Sequence, residues 1–390
     1  MLDYEYLSEQ QLHGFSKYKY NSIDSSPLSQ YVMHPFWNSV VKICPTWIAP
    51  NTLTFFGFLL TAANFFILTH YDYSYWASSS VKTDIPPIPQ WIWLIIAANH
   101  FLAHTLDGID GKQARRTGTS GPLGELFDHG LDAWTSFFIP ATLYSVFGRG
   151  DYGIPSMRFY ACVCCVLFTF IASHWEKYNT GVLFLPWGYD VSQLGIFAVY
   201  LLTFFYGHMF WKFSSMNGIP SGVVFELMMW SGSLITSLPM TFWNLYVSWQ
   251  NGTGKNRGLV GSLRPLLGTA ILFFVATIWA VCSPVGILDE DTRCFVYMVG
   301  VVFANITCRL IVSQMSDTEC DLIPGIVYPV IAATALALLP ACSSLPAQLW
   351  ILYSLTLVTT LAHIHYGVCV VRQMCRNFGI NCFRIKSQTK

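Results

Sequence analysis

The chain has 390 residues, of which 53% are hydrophobic and only 11% are charged. A soluble globular domain carries about 25% charged residues, so this composition excludes a soluble protein, and the apolar excess excludes a disordered chain. The 21 basic and 21 acidic residues cancel, which leaves no electrostatic basis for nucleic-acid binding. The remaining class is an all-α, polytopic integral membrane protein.

About ten apolar segments are long enough to cross a membrane, since a spanning helix needs about 20 largely apolar residues. We predict these spans at 52–70, 91–110, 123–147, 157–175, 191–211, 222–247, 266–282, 294–315, 322–342 and 349–371. Before them, segment 29–47 mixes aromatic and aliphatic residues with polar ones. That mixture predicts an amphipathic helix lying in the headgroup layer.

Loop charge predicts the orientation of the spans. Ten spans put both termini on one side, where the loops and ends carry 15 Lys and Arg residues, against 5 on the other side. Because cytosolic loops are enriched in these residues, we expect the termini and loop 111–121 to face the cytosol. We divide the chain into a cytosolic N-terminal segment (1–50), one transmembrane catalytic domain (51–372, active site 107–132) and a cytosolic basic tail (373–390).

One polar cluster departs from the membrane pattern, where the second span ends and the third begins. Helical spacing gives the second helix one face with Asp107, Asp110, Gly111, Ala114 and Arg115. The same spacing gives the third helix one face with Glu125, Asp128, His129 and Asp132. A short glycine-rich loop joins these helices, so we expect antiparallel neighbours whose acidic faces meet.

Acidic residues that converge in a low-dielectric site repel each other unless a cation neutralises them. Carboxylate ligands without cysteine favour Mg²⁺, Mn²⁺ or Ca²⁺, and four aspartates are enough for two ions. We therefore predict the metal ligands Asp107, Asp110, Asp128 and Asp132. The alternative is a salt-bridge network of these acids with Lys112, Arg115 and Arg116.

The residues around the acids favour a phosphate-bearing ligand bridged by metal. Small side chains allow a ligand to approach closely, and Arg115 supplies positive charge. Asn51, which follows Pro50 at the start of the first span, is a candidate N-cap. The candidate substrate-binding residues at the cluster are Gly111, Ala114, Arg115, Gly124 and Glu125.

The pattern Asp107-x₂-Asp110-Gly111-x₂-Ala114-Arg115-x₈-Gly124-x₃-Asp128-x₃-Asp132 fills every fixed position of a known signature. It resembles that of the CDP-alcohol phosphatidyltransferase (class I) family. Segments such as Pro186-Trp187-Gly188-Tyr189-Asp190 are similar to those of the eukaryotic ethanolaminephosphotransferases within it.

This resemblance implies a ten-helix enzyme of the endoplasmic reticulum or Golgi membrane, usually a homodimer. It would transfer phosphoethanolamine from CDP-ethanolamine to diacylglycerol, releasing CMP, with Mg²⁺ or Mn²⁺ as cofactor and Asn51 beside the nucleotide. Choline specificity, or dual choline and ethanolamine specificity, stays an alternative because the signature does not separate the headgroups. A cation transporter is a remote alternative, since the acids cluster at one end of the spans and no internal repeat is visible.

The lipid hydroxyl is a poor nucleophile and needs a general base. His129 has a neutral form near pH 7, and Glu125 lies one helical turn before it. We predict His129 as the base, oriented by Glu125. Asp132 is the alternative base, and a structural, hydrogen-bonding role is the alternative for His129.

Six further polar positions lie at or within the ends of spans. His174, Glu176 and Lys177 either line the donor entrance or belong to a solvated loop. Arg309, inside the eighth span, is expected to pair with a lipid phosphate or a buried carboxylate. His363 is expected to be a hydrogen-bonded packing residue, as is His365.

Overall fold

The computed structural model describes residues 3–82, 84–215 and 217–385. Its helices are α1 (Glu9–Lys17), α2 (His34–Ile43), α3 (Pro50–Tyr71), α4 (Gln90–Thr117), α5 (Pro122–Phe147), α6 (Ser156–Thr180), α7 (Gly188–Tyr206), α8 (Ser221–Ser231), α9 (Leu238–Gln250), α10 (Gly258–Cys282), α11 (Ile287–Glu290), α12 (Thr292–Ser316), α13 (Val327–Ala337) and α14 (Leu345–Phe378). Two short strands, β1 (Ser22–Ile23) and β2 (Leu183–Phe184), pair in parallel. The all-α prediction is confirmed.

Within the described residues, eight helices are long and apolar enough to cross a membrane. The predicted third span is also a single helix, α5, and it carries Glu125, Asp128 and Asp132 of the cluster. The polytopic class is therefore confirmed, although one of the predicted spans differs from the helix observed.

The predicted span 222–247 is one continuous helical span, Ser221–Gln250, in which the π-helical segment Gly232–Ser237 joins α8 to α9. The predicted span 322–342 is wrong as a single long helix. Its α-helical part, α13, has only 11 residues, and a 3₁₀ turn follows at Pro340–Cys342. Pro340 accounts for the C-terminal limit of α13, since proline cannot donate the backbone hydrogen bond that continues a helix.

Helix α12 forms the centre of the protein, with nearly all of its side chains buried. It packs against α5, α6, α10 and α14. Gly300 on α12 lies directly against the Phe137 ring on α5, so the two backbones approach closely. This contact fixes α5, the helix that carries half of the acidic cluster.

The α4–α5 connection is shorter than predicted, because α4 continues seven residues past Asp110 to Thr117. Gly118 ends α4 in the left-handed conformation (φ 66°), which glycine adopts without steric cost. Pro122 occupies the first turn of α5, a position that tolerates its missing N–H. Helix α3 packs along both α4 and α5.

The N-terminal region lies against the site helices. A π-helical turn, Ser29–Met33, leads into α2, which ends four residues before the predicted boundary at 47. The Trp37 ring of α2 packs on Gly108 of α4, while Tyr31 and Ile43 are exposed. The position of this helix in the headgroup layer stays a prediction.

Two segments return to the site from the ends of the chain. Residues 18–29, here called the N-terminal strap, are held by the β1–β2 pairing and by a hydrogen bond from Ser29 to Asp190. Residues 379–385, here called the C-terminal hook, fold back after α14. They belong to the predicted basic tail, whose last residues, 386–390, lie outside the described residues.

Candidate active site

Side chains from the facing ends of α4 and α5 converge as the helical spacing predicts. One ligand atom from each of Asp107, Asp110 and Asp128 lies within 4.8 Å of the others. Asp128, His129 and Asp132 form a second group with the same spacing. Asp128 belongs to both groups, so the four carboxylates form one continuous cluster.

Neighbouring hydroxyl groups orient two of these carboxylates. Thr54 on α3 donates a hydrogen bond to Asp110 Oδ2 at 2.5 Å, and Tyr189 on α7 donates one to Asp107 Oδ2 at 3.0 Å. Asp128 Oδ1 is buried and has no hydrogen-bond partner among the described residues. A buried carboxylate oxygen without a donor, beside three other carboxylates, fits a divalent cation.

His129 lies at the edge of the cluster. Its Nδ1 is 3.7 Å from Asp132 Oδ2 and 3.8 Å from Asp128 Oδ2. Its Nε2 is buried without a hydrogen-bond partner among the described residues. The ring also contacts two aromatic neighbours, His174 at 5.2 Å and Tyr20 at 6.5 Å between centroids. One imidazole nitrogen therefore lies beside two carboxylates, and the other has no hydrogen-bond partner among the described residues.

Glu125 contacts different groups from those predicted. Its Oε1 accepts a hydrogen bond from Lys177 Nζ at 2.5 Å, and its Oε2 accepts one from the Tyr18 hydroxyl of the N-terminal strap. Among the described residues it makes no hydrogen bond with His129. The expected Glu125–His129 contact is thus not observed, because a buried ammonium outcompetes a more distant imidazole.

Burial and the adjacent Glu125 carboxylate raise the pKa of Tyr18 above its ordinary value. The phenol therefore stays protonated and donates to Glu125 across the physiological pH range. Lys177 Nζ also lies over the Tyr20 ring, 4.7 Å from its centroid. The N-terminal strap is thus anchored on the buried Glu125–Lys177 pair.

A cavity of about 2170 Å³ contains the cluster. One face of α5 lines it at nearly every turn from Asp128 to Phe147, a distance of about 28 Å at 1.5 Å per residue. Polar groups surround the carboxylate end of the cavity, and they include Asn51, Arg115 and residues 117–121. The opposite end is apolar and is lined by Leu143, Phe147, Phe225, Met228 and Met229.

The chain is similar to known enzymes over nearly its whole length. A family model described as CDP-alcohol phosphatidyltransferase matches residues 47–238. Ethanolaminephosphotransferase 1 of Mus musculus is 46% identical over 99% of this chain and 96% of the relative. Its Homo sapiens counterpart is 45% identical over the same shares. Cholinephosphotransferase 1 of Danio rerio is 33% identical over 82% of this chain and 80% of the relative.

This chain belongs to the CDP-alcohol phosphatidyltransferase family. Membership confirms the resemblance that the motif at 107–132 indicated, and it makes the chain a transferase rather than a cation transporter. The matched region contains α3, α4 and α5, the three helices that build the carboxylate cluster.

The predicted substrate-binding residues line the carboxylate end of the cavity of this phosphatidyltransferase. The N-cap interpretation of Asn51 is wrong, because Ala49 occupies the cap and Asn51 lies inside the first turn of α3. The Asn51 amide instead donates a hydrogen bond to the Cys382 carbonyl at 3.1 Å. Arg115 makes no hydrogen bond or ion pair among the described residues, so its guanidinium is available to a ligand.

The remaining polar positions have protein partners. His174, Glu176 and Lys177 are buried in α6, so the solvated-loop alternative is wrong; His174 lines the cavity. Arg309 pairs with Asp321 at 2.9 Å, a carboxylate that is half-exposed rather than buried. His363 accepts a hydrogen bond from Trp134 at 2.8 Å, and His365 bonds with the Tyr6 hydroxyl at 2.9 Å, as expected of packing residues.

Sequence reasoning missed several residues that touch the site, namely Tyr18, Tyr20, Thr54, Tyr189 and the C-terminal hook. A weak signal existed for the first two, since the aromatic pair Tyr18-Lys19-Tyr20 stands in an otherwise polar segment. Tyr189 lies in the segment 186–190, which carries part of the family resemblance, but its spacing predicts no contact with the cluster. Thr54 carries no such signal, because hydroxyl-bearing residues are common in membrane helices.

Proposed function

We propose that this chain transfers phosphoethanolamine from CDP-ethanolamine to diacylglycerol, giving phosphatidylethanolamine and CMP. The observation that carries the proposal is one cavity that joins a four-carboxylate cluster with His129 at one end to an apolar chamber at the other. The relatives named ethanolaminephosphotransferase support the ethanolamine donor, at 45–46% identity.

We further propose that Asp107, Asp110, Asp128 and Asp132 hold two Mg²⁺ or Mn²⁺ ions. Divalent cations bound there would neutralise the diphosphate and the departing CMP phosphate. Asp128 lies in both groups of convergent ligand atoms, which supports its place in the ligand set. Arg115 faces the same cavity and would add a positive charge to the phosphate site.

His129 is the proposed general base. In the reaction, the lipid hydroxyl oxygen forms a bond to the β-phosphorus, the bond to CMP breaks, and the hydroxyl proton passes to the imidazole. The unpartnered His129 Nε2 supports this role. Glu125 is a positioning residue in this proposal, since it fixes Lys177 and the N-terminal strap rather than the imidazole. Asp132 stays the alternative base.

The shape of the cavity supports one route for each substrate. The water-soluble donor enters at the carboxylate end, which we propose faces the cytosol together with both termini. Diacylglycerol enters from the leaflet, because its acyl chains match the apolar chamber along α5. We also propose that the enzyme is a homodimer in the endoplasmic reticulum or Golgi membrane.

Purified protein in detergent tests the proposal directly. With diacylglycerol and labelled CDP-ethanolamine, we expect CMP release that requires Mg²⁺ or Mn²⁺ and is abolished in Asp128→Asn. Asp151→Asn, an exposed residue between α5 and α6, is the matched control and should leave the rate unchanged. Failure of wild-type protein to release CMP, or full activity of Asp128→Asn, would overturn the proposal.

A competition assay tests the headgroup. Equal concentrations of CDP-ethanolamine and CDP-choline in one reaction should yield mainly phosphatidylethanolamine. Comparable yields of both lipids would establish dual specificity, and a majority of phosphatidylcholine would establish the choline alternative.

A further inference from the structure

The C-terminal hook has a defined conformation. After α14 the chain turns at Gly379, which is left-handed (φ 62°), and the Ile380 N–H donates to the Cys375 carbonyl at 3.1 Å. Asn381 and Arg384 then form an antiparallel bridge. Residues 380–385 therefore form a tight reversal that points back toward the cavity.

Two contacts anchor the hook on the helices of the active site. The Phe383 ring packs between Phe55 on α3 and Phe127 on α5, with centroid distances of 5.7 and 5.5 Å. The Cys382 carbonyl accepts the hydrogen bond from Asn51. Because Phe127 directly precedes Asp128, the hook packs on the same turn of α5 that carries the shared carboxylate.

Arg384 lines the cavity and has no acceptor for its guanidinium among the described residues. The neighbouring basic residues Arg372 and Arg376 on α14 instead pair with Asp3, at 3.2 and 2.9 Å. Arg115 is similarly unpaired and lines the same end of the cavity. Both guanidinium groups line one cavity without an acceptor among the described residues. Each is suited to an anionic ligand, because arginine donates to phosphate oxygens in a planar, bidentate arrangement.

The polarity of the cavity decides which part of the donor lies near Arg384. The apolar chamber suits acyl chains, and the carboxylate cluster suits the diphosphate through its cations. The nucleoside half of the donor is large and polar, which matches the polar lining formed by Asn51, residues 117–121 and Arg384.

We propose that Arg384 is a substrate-binding residue that contacts the nucleotide half of the CDP-alcohol, and that the C-terminal hook positions it. This inference rests on the proposed function, since it takes a CDP-alcohol as donor. Arg384 contributes to the affinity for the nucleotide and takes no part in proton transfer.

Arg384→Gln tests the proposal, with Arg376→Gln as the matched control. In CMP-release assays at saturating diacylglycerol, we expect Arg384→Gln to raise the KM for CDP-ethanolamine roughly ten-fold, the usual effect of one lost charge-assisted hydrogen bond. The kcat and the KM for diacylglycerol should change less than two-fold. Arg384→Lys should recover part of the affinity, and Arg376→Gln should match wild type.

Inhibition by CMP identifies the part of the donor that is contacted. The inhibition constant of CMP should rise by the same factor in Arg384→Gln, because CMP keeps the nucleotide and lacks the headgroup. Phe383→Ala, which removes the anchor of the hook, should produce the same change, while thermal unfolding verifies that each variant is folded. An unchanged CMP inhibition constant in a folded Arg384→Gln variant would overturn the inference.

The two proposals fail in different ways. Without CMP release by wild-type protein, the proposed function fails, and calorimetric titration of wild type and Arg384→Gln with CMP and Mg²⁺ still measures the role of Arg384. With normal wild-type turnover and an unaffected Arg384→Gln variant, only the inference on Arg384 fails.

Discussion

The ammonium of Lys177 lies 2.5 Å from the carboxylate of Glu125, and these side chains are only 2% and 3% exposed. The pair links α6 to α5 directly beneath the N-terminal strap. Desolvating two charges is costly, and their attraction offsets that cost only while both partners are present. The pair thus makes the position of the strap depend on the two helices beside the carboxylate cluster.

Breaking this pair should destabilise the protein strongly. We expect Glu125→Gln or Lys177→Met alone to lower the free energy of unfolding by about 3–5 kcal/mol, because each leaves a buried charge without a partner. The double variant should lose less unfolding free energy than the sum of the losses in the two single variants. Thermal unfolding in detergent measures the effect. Glu319→Gln, at the exposed Arg264–Glu319 pair, is the control and should cost less than about 1 kcal/mol. Additive losses would contradict the pairing.

Removing the imidazole of His129 should lower turnover without weakening donor binding. We expect His129→Ala to reduce kcat by about 10²–10⁴-fold, the usual contribution of a general base, with the KM for CDP-ethanolamine nearly unchanged. Steady-state CMP release measures both constants. His13→Ala, an exposed histidine on α1, should behave as wild type. Near-normal turnover in His129→Ala would transfer the role to Asp132.

Asp72, which follows α3 at the end remote from the cluster, should make stability depend on pH. Burial raises the pKa of its carboxyl to about 6, and its Oδ2 has no hydrogen-bond partner among the described residues. The folded pKa exceeds the unfolded value of about 3.9, so ionisation of Asp72 opposes folding at neutral pH. This cost diminishes as the pH falls through 6 and disappears below about 4.

Asp72→Asn should therefore raise the free energy of unfolding by about 3 kcal/mol at pH 7.5, and by roughly half of that at pH 5. Asparagine keeps the oxygen that accepts the Ala77 N–H at 2.9 Å. Denaturation at the two pH values measures the change, and Asp151→Asn should show no such dependence. A loss of stability at pH 7.5 would show that the Asp72 charge is instead favourable.

Gly108 should tolerate no side chain. A Cβ atom there would overlap the Trp37 indole, so Gly108→Ala should push α2 away from α4. We expect a loss of about 1–3 kcal/mol from overpacking together with reduced CMP release, because Gly108 follows Asp107. Gly367→Ala on α14, where an added Cβ meets nothing within 4 Å, should be neutral or slightly stabilising. Unfolding temperature and activity measure both variants.

Helical periodicity predicted the carboxylate cluster correctly because it is a local property. Residues three and four positions apart must share a helix face, and a four-residue loop leaves α4 and α5 little freedom in orientation. The same local reasoning located nearly all of the membrane helices. It predicted too long a helix at 322–342, because the hydropathy of the segment stays high beyond the proline at which the helix ends.

Long-range contacts could not be predicted in this way. Spacing suggested His129 as the partner of Glu125, but the observed partners, Lys177 and Tyr18, are 52 and 107 residues away. Asn51 and Cys382 are separated by 331 residues. Such pairs depend on how the helices pack, and the periodicity of hydrophobic and polar residues in a single sequence does not reveal them.

The placement of the N-terminal strap and the C-terminal hook has a practical consequence for purification. A bulky fusion partner or affinity tag joined close to residues 18–29 or 379–385 would displace Tyr18 or Phe383 from its packing site. Low activity of such a preparation would then result from the tag rather than from the enzyme itself. The exposed turn at Asn251 and Gly252 belongs to neither segment and is the better site for an inserted epitope.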